Sequence, residues 1–185
     1  MQGYCALIQK WNPLASLVSS RDVGQLEVHA ADSLSLLPAV QKYGGPSPSL
    51  FDIGSGAGFP AFPLALACPE LVFQLTERTR KKSGFLELAL GELRLLERGK
   101  VNAGAFPQEV TLENPSGWLI TARAVEKPGI VWKGIRELVR EGAIFLCQWP
   151  EPPVEAAEMF HVERIADEWG DLGLRRGTLH IIRAR

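Results

Sequence analysis

The chain has 185 residues, a hydrophobic share of 46% and a formal charge of −1, so it is not a polycation and any grip on nucleic acid has to come from a local patch. Cys5, Cys68 and Cys147 stand far apart without a C-x-x-C pair, which excludes a zinc or disulfide framework and fits small buried residues in a reducing cytosol. No segment has the length and flanks of a membrane span or a signal peptide, and His29, His161 and His180 lack the spacing of metal ligands.

Tyr4, Leu7, Ile8, Trp11 and Leu14 recur at mostly helical spacing, which predicts a helix over 3–18, broken or kinked at Pro13. A further helix is expected over 33–43, and the Gly/Pro/Ser run 44–49 is a loop that closes this helical lead-in. From Leu50 onward strands and helices alternate. Strands are expected from Leu50 and over 71–76, 100–103, 117–121 and 142–148, with helices over 59–68, 80–96 and 130–140. Residues 150–153 are a Pro-rich loop, and 158–165 with 178–184 read as a closing antiparallel pair. Such alternation predicts an α/β fold with a mostly parallel sheet covered on both faces. One domain is expected over 1–185, with a lead-in at 1–45 and the α/β core at 50–185.

The first strand runs into Leu-Phe-Asp-Ile-Gly-Ser-Gly-Ala-Gly, from Leu50 to Gly58. A strand, a glycine loop and a helix start bring backbone N–H groups close to a cofactor. The spacing is G-x-G-x-G, and Phe59 stands where the dinucleotide fingerprint has its last glycine. Asp52, just ahead of the loop, repels pyrophosphate and suits an ammonium group. S-adenosylmethionine (SAM) carries an amine, a sulfonium and no phosphate, so the loop reads as a SAM site, with NAD second. Glu77 ends the second strand about 20 residues past the glycines, where α/β nucleotide folds hold a ribose diol. Its alternative reading is an acid favoured at the start of the next helix.

Arg78, Arg80, Lys81 and Lys82 follow Glu77, and Arg94, Arg98 and Lys100 stand at the far end of the same predicted helix. These could grip RNA phosphate beside the cofactor or be a solvated helix face. Arg175, Arg176, Arg183 and Arg185 form a second basic group. Asp32 reads as a cap for the helix near Ser33 or as a carboxylate beside a cationic product.

Several pieces together resemble the RsmG family, also called glucose-inhibited division protein B. They are Lys10-Trp11-Asn12, Leu17-Val18-Ser19, Arg21-Asp22, His29-Ala30-Ala31-Asp32-Ser33, the run from Asp52 to Pro60, Lys81-Lys82-Ser83-Gly84-Phe85-Leu86 and Ala122-Arg123-Ala124. The resemblance implies a Rossmann-like class I SAM-dependent methyltransferase with a seven-stranded sheet, mostly parallel, with an antiparallel C-terminal strand. It implies methyl transfer to guanine N7 of 16S ribosomal RNA, with ribosomal RNA or the 30S particle as partner. It also implies a cytoplasmic monomer without a metal. Carried over, Gly54, Gly56, Gly58 and Phe59 would line the methionine and sugar beside Asp52, and Glu77 would hold the ribose. Ala105 and Phe106 would lie at the adenine edge, and Arg123 at the pocket mouth. Arg123 there and Asp32 beside the cationic product are the candidate catalytic residues, and Arg78, Arg80, Lys81 and Lys82 the candidate RNA-binding ones.

The chain departs from the family pattern at Ser16, Val28, 104–107 and 148–150. The competing readings are a methyltransferase of small molecules on the same fold, and a SAM-binding, ribosome-associated protein without turnover.

Overall fold

The computed structural model describes residues 1–123, 128–165 and 178–185. Three helices, α1 (Gln2–Ala15), α2 (Leu26–Leu34) and α3 (Leu37–Gly44), with a 3-10 turn at Asp22–Gln25, precede the first strand. Then come β1 (Ser49–Ile53), α4 (Ala61–Ala67), β2 (Val72–Glu77), α5 (Arg80–Glu92), β3 (Gly99–Ala103) and β4 (Leu119–Thr121). The chain continues through α6 (Pro128–Arg140), β5 (Ile144–Cys147), α7 (Ala156–Met159), β6 (His161–Ile165) and β7 (Leu179–Arg183).

The sheet order is β3-β2-β1-β4-β5-β7-β6. β1 pairs in parallel with β2 and β4, β2 with β3 and β4 with β5, while β7 runs antiparallel to both β5 and β6. The parallel sheet and its closing antiparallel pair are therefore both as the sequence predicts. Alternation along the strands divides the core. Leu50, Leu119 and Leu146 join one cluster with Tyr4, Ile8, Phe62 and Phe73. Phe51, Ile120 and Phe145 join the other with Trp132 and Ile135 of α6. Both faces are covered, so β1 is buried from Leu50 through Ile53, as a central parallel strand must be.

The lead-in differs from its expected outline. Pro13 lies inside α1 without ending it, and the helix stops at Ser16, in the left-handed region at φ 49°. Asn12 makes that stop: its carbonyl accepts the Ser16 N–H at 2.9 Å, and its side-chain Oδ1 accepts the Val18 N–H at 2.9 Å. The single helix expected over 33–43 is two helices. Ser35 Oγ turns back to the Asp32 carbonyl at 2.6 Å, and Pro38, in the first turn of α3, has no N–H to continue the ladder. Asp32 therefore lies inside α2 and is not a helix cap. α5 ends at Glu92, four residues short of the expected end, with Leu93 as its C-cap. Residues 156–159 add a short helix that the sequence pattern did not reveal.

The lead-in is tied to the sheet through Tyr4. This fully buried side chain packs edge-on against Phe59 and Phe62, with ring centroids 5.2 and 5.5 Å away. Its hydroxyl donates to the Ala57 carbonyl at 2.9 Å, within the glycine loop.

Candidate functional site

The strand order reverses beside β1, with β2 and β3 on one side and β4 on the other, and crevices of α/β sheets form at the carboxyl ends of strands at such a point. Here the crevice is a cavity of about 620 Å³. Gly54, Gly56 and Phe59 line its floor, Glu77, Ala105 and Phe106 one end, and Asp22, His29 and Arg123 the other.

The N–H groups of the three loop glycines are already used. Gly54 donates to Thr76 Oγ1 at 3.2 Å, Gly56 to Glu77 Oε2 at 3.0 Å and Gly58 to the Ser55 carbonyl at 2.6 Å. Two glycines do different work. Gly56, at φ 57°, has only the Gly54 carbonyl within 4 Å of where a Cβ would stand, at 3.8 Å, and it opens onto the cavity. Gly58, at φ 98°, has the Phe62 ring 2.1 Å from that point, so it is a packing glycine behind the loop. Glu77 is buried, and its other oxygen, Oε1, accepts the Thr79 N–H at 2.7 Å, which links the glycine loop to the start of α5.

Asp52 also stands behind the loop, 1% exposed. Its Oδ1 accepts from Thr121 Oγ1 at 2.6 Å, while Oδ2 is buried with no hydrogen-bond partner among the described residues. Burial pushes its carboxyl up to about 6, against the pull of the Thr121 hydrogen bond. Three consumed glycine N–H groups and two flanking carboxylates disfavour a pyrophosphate here. An orphaned acceptor behind the loop and a carboxylate at its edge fit a cationic, diol-bearing group such as SAM.

Ala105 N–H donates to Glu109 Oε2 at 2.7 Å. Phe106 is 8% exposed; its ring packs 5.9 Å from Phe51 and over Gly134, where a Cβ would come within 2.6 Å. Its side chain thus belongs to the wall's core. At the opposite end, Arg123 Nη2 pairs with Asp32 Oδ2 at 2.8 Å and contacts His29 Nδ1 at 3.3 Å, and Nη1 reaches Ser33 Oγ at 3.5 Å. Trp149 Nε1 donates to the Ala122 carbonyl at 2.7 Å and fixes the backbone beside Arg123.

Among the basic residues, Arg78 and Lys82 line the cavity, while Arg80 and Lys81 are exposed outside it. Arg98 does not belong to a contact surface. Its guanidinium donates to the carbonyls of Ala65, Cys68 and Leu71 at 3.1, 3.1 and 2.9 Å, closing the end of α4. Ala124, Arg175 and Arg176 lie outside the described residues. Asp22 and His29 enter the cavity wall although sequence reasoning gave them no role; their only signal was their place in the family pieces. Among the described residues no helix is long and apolar enough to cross a membrane, and no group of three or more His, Cys, Asp or Glu side chains could hold a metal ion.

Known proteins give the lineage and the fold. The family described as rRNA small subunit methyltransferase G (GidB) matches residues 1–157. A ribosomal RNA small subunit methyltransferase G from Acidiphilium cryptum is 35% identical over 152 residues, covering 79% of this chain and 65% of that protein, just under two thirds of its length. One from Coxiella burnetii is 30% identical over 171 residues, covering 88% of this chain and 79% of that protein. Among solved structures, a putative SAM-dependent methyltransferase from Methanococcus maripaludis superposes with a TM-score of 0.62 at 13% identity, over 97% of this chain and 91% of its own. A mitomycin 7-O-methyltransferase gives 0.59 at 16% identity, over 98% and 60%. At such identities the structures speak for the fold, whereas the family match and the relatives fix the lineage: the chain belongs to the rRNA small subunit methyltransferase G family.

Proposed function

We propose that this chain transfers the methyl group of SAM to N7 of a guanine in small-subunit ribosomal RNA, acting as a cytoplasmic monomer folded as one domain. The observation that carries the reading is the glycine loop. The N–H groups of its three glycines are spent on protein acceptors, it is flanked by Asp52 and Glu77, and it opens at Gly56 onto a cavity that ends at Arg123. When bound, SAM supplies an electrophilic methyl group on a sulfonium. Asp52, buried behind the loop, would favour the ammonium through its negative charge. Glu77, with lone pairs left beyond its two backbone partners, holds the ribose. Gly54, Gly56 and Phe59 would shape the floor, with Gly58 packed behind it against Phe62, and the backbone of Ala105 and Phe106 would meet the adenine.

Guanine N7 carries a free in-plane lone pair, so no proton has to leave before attack. The residues at the acceptor end therefore need only orient the base and exclude water. Proximity and orientation can supply roughly 7–11 kcal/mol. The methylated base gains positive charge, and the Asp32 carboxylate, already paired with Arg123, offsets it. Arg78, Arg80, Lys81 and Lys82 hold RNA phosphates at the mouth.

The test is incubation with labelled SAM and small ribosomal subunits that lack the modification, followed by nucleoside analysis. Label in 7-methylguanosine is the expected result. Tight SAM binding with no label in RNA would remove the RNA assignment.

A further inference from the structure

The two ends of the cavity differ in chemistry. The Glu77 end is built from the tips of β2 and β3. The Arg123 end is completed by side chains outside the sheet, Asp22 of the 3-10 turn and His29 of α2, and both line the cavity. Arginine has no lone pair with which to accept, so in its 3.3 Å contact with Arg123 Nη2, His29 Nδ1 is the acceptor and the ring proton sits on Nε2. That Nε2 faces Asp22 Oδ1 at 3.4 Å. Ser19 Oγ donates to the other oxygen, Oδ2, at 2.6 Å. The Ser19 hydrogen bond, with His29 adding to it, holds the Asp22 carboxyl below the usual carboxylate range. An ionised carboxylate is thus held in one orientation at the cavity wall, its side chain 37% exposed, with lone pairs left on both oxygens.

We infer that Asp22 reads the Watson–Crick edge of the acceptor guanine, its two oxygens accepting from N1–H and N2–H of the base. The inference rests on the guanine-N7 reading above and adds the residue that selects the base. An ionised carboxylate only accepts, and guanine alone among the four RNA bases presents two adjacent N–H donors on that edge. The Watson–Crick edge is one of the two edges along which unpaired RNA bases are recognised, the Hoogsteen edge being the other. N7 lies on the opposite edge. A base gripped through N1 and N2 therefore keeps the N7 lone pair free, while O6, between the two edges, faces Arg123. His29 is a positioning residue here, joining Asp22 to Arg123 so that the two sides of the subsite move together.

The experiment compares guanosine with inosine, which lacks the N2 amine and keeps N7. The methylated guanosine is first mapped with the wild-type protein, and small subunits are then reconstituted with inosine at that position. For the wild type, kcat/KM should fall at least about tenfold on inosine, since a site built to accept an N–H loses its partner. Asp22→Ala should lower kcat/KM on guanosine and bring the guanosine-to-inosine ratio close to one. Its SAM affinity, measured by calorimetry, should stay at the wild-type value and so report an intact fold. A wild-type ratio near one, or a ratio unchanged by Asp22→Ala, would overturn the inference and leave guanine methylation standing. No transfer by the wild type to guanosine would overturn both.

Discussion

The two ends of the cavity are built by different means. At the β2 end, backbone does the work: the glycine loop and the start of α5 both donate to the one carboxylate of Glu77, and strand register fixes every partner. At the β4 end, side chains from the 3-10 turn, α2 and the tip of β4 meet in a chain running Asp22, His29, Arg123, Asp32. The first kind of site is stiff and its chemistry is narrow. The second depends on helices packing correctly against a sheet, so on the proposed assignment it could change its acceptor without disturbing the cofactor. If that division holds, substitutions at one end should leave the function of the other intact.

The sharpest test is Gly56→Val. Its side chain would project into the cavity from a left-handed residue, so SAM affinity should fall more than about 100-fold. The strain of about 1–2 kcal/mol should leave the chain folded in a denaturant titration. Glu77→Ala should follow, weakening SAM by about 1.5–3 kcal/mol in calorimetry, as the ribose bonds and the support of the loop go together. Arg123→Ala should do the reverse. Methyl transfer should fall by about 10- to 100-fold with SAM affinity nearly unchanged, because the acceptor end loses its alignment. Equal losses of binding and turnover in this variant would break the division.

Charge reversal of Arg80 and Lys81 together should act more weakly still. RNA affinity should drop about tenfold at low salt and the salt dependence should flatten, while stability stays within about 0.5 kcal/mol, since both side chains are exposed. The smallest effect on binding concerns pH. Asp52 keeps its proton to about pH 6 in the folded chain and loses it near pH 4 when unfolded. Its contribution to stability is therefore present below about pH 4 and is lost as pH rises through about 6, on the order of 2–3 kcal/mol. An ammonium beside it favours the ionised form, so SAM affinity should rise several-fold across that window, with a proton released. Calorimetry in buffers of different ionisation heat would detect the release, and an identical pH profile for Asp52→Asn would refute the assignment.

These particulars also mark what could be read from the sequence. The glycine loop, Asp52 and Glu77 were legible because parallel register turns a fixed spacing into proximity: Ile53 pairs with Thr76, and the residues that follow each meet across the loop. The acceptor end was legible only as family pieces. Nothing in local periodicity says that Asp22 and His29 will face Arg123, 94 residues beyond His29, because packing of α2 decides it. Two departures from the family pattern make physical sense only in three dimensions. Trp149 falls in one of them, and its indole N–H pins the Ala122 carbonyl beside Arg123. The acid missing at 104–107 is supplied from Glu109, which bonds the Ala105 N–H. The break between α2 and α3 escaped the hydrophobic pattern because a serine turning back on its own helix carries no periodic signal.

The hydroxyl of Tyr4, seated on the Ala57 carbonyl, makes the first helix a buttress of the glycine loop. A ligand that tightens the loop must therefore slow the opening of α1, two elements that meet across 53 positions of sequence. Amide hydrogen exchange should register this as protection spreading from 54–58 into residues 2–8 when cofactor is added. A Tyr4→Phe chain should keep its ring packing, lose that transmission, and let the amino-terminal turn fray at the same rate with or without the cofactor.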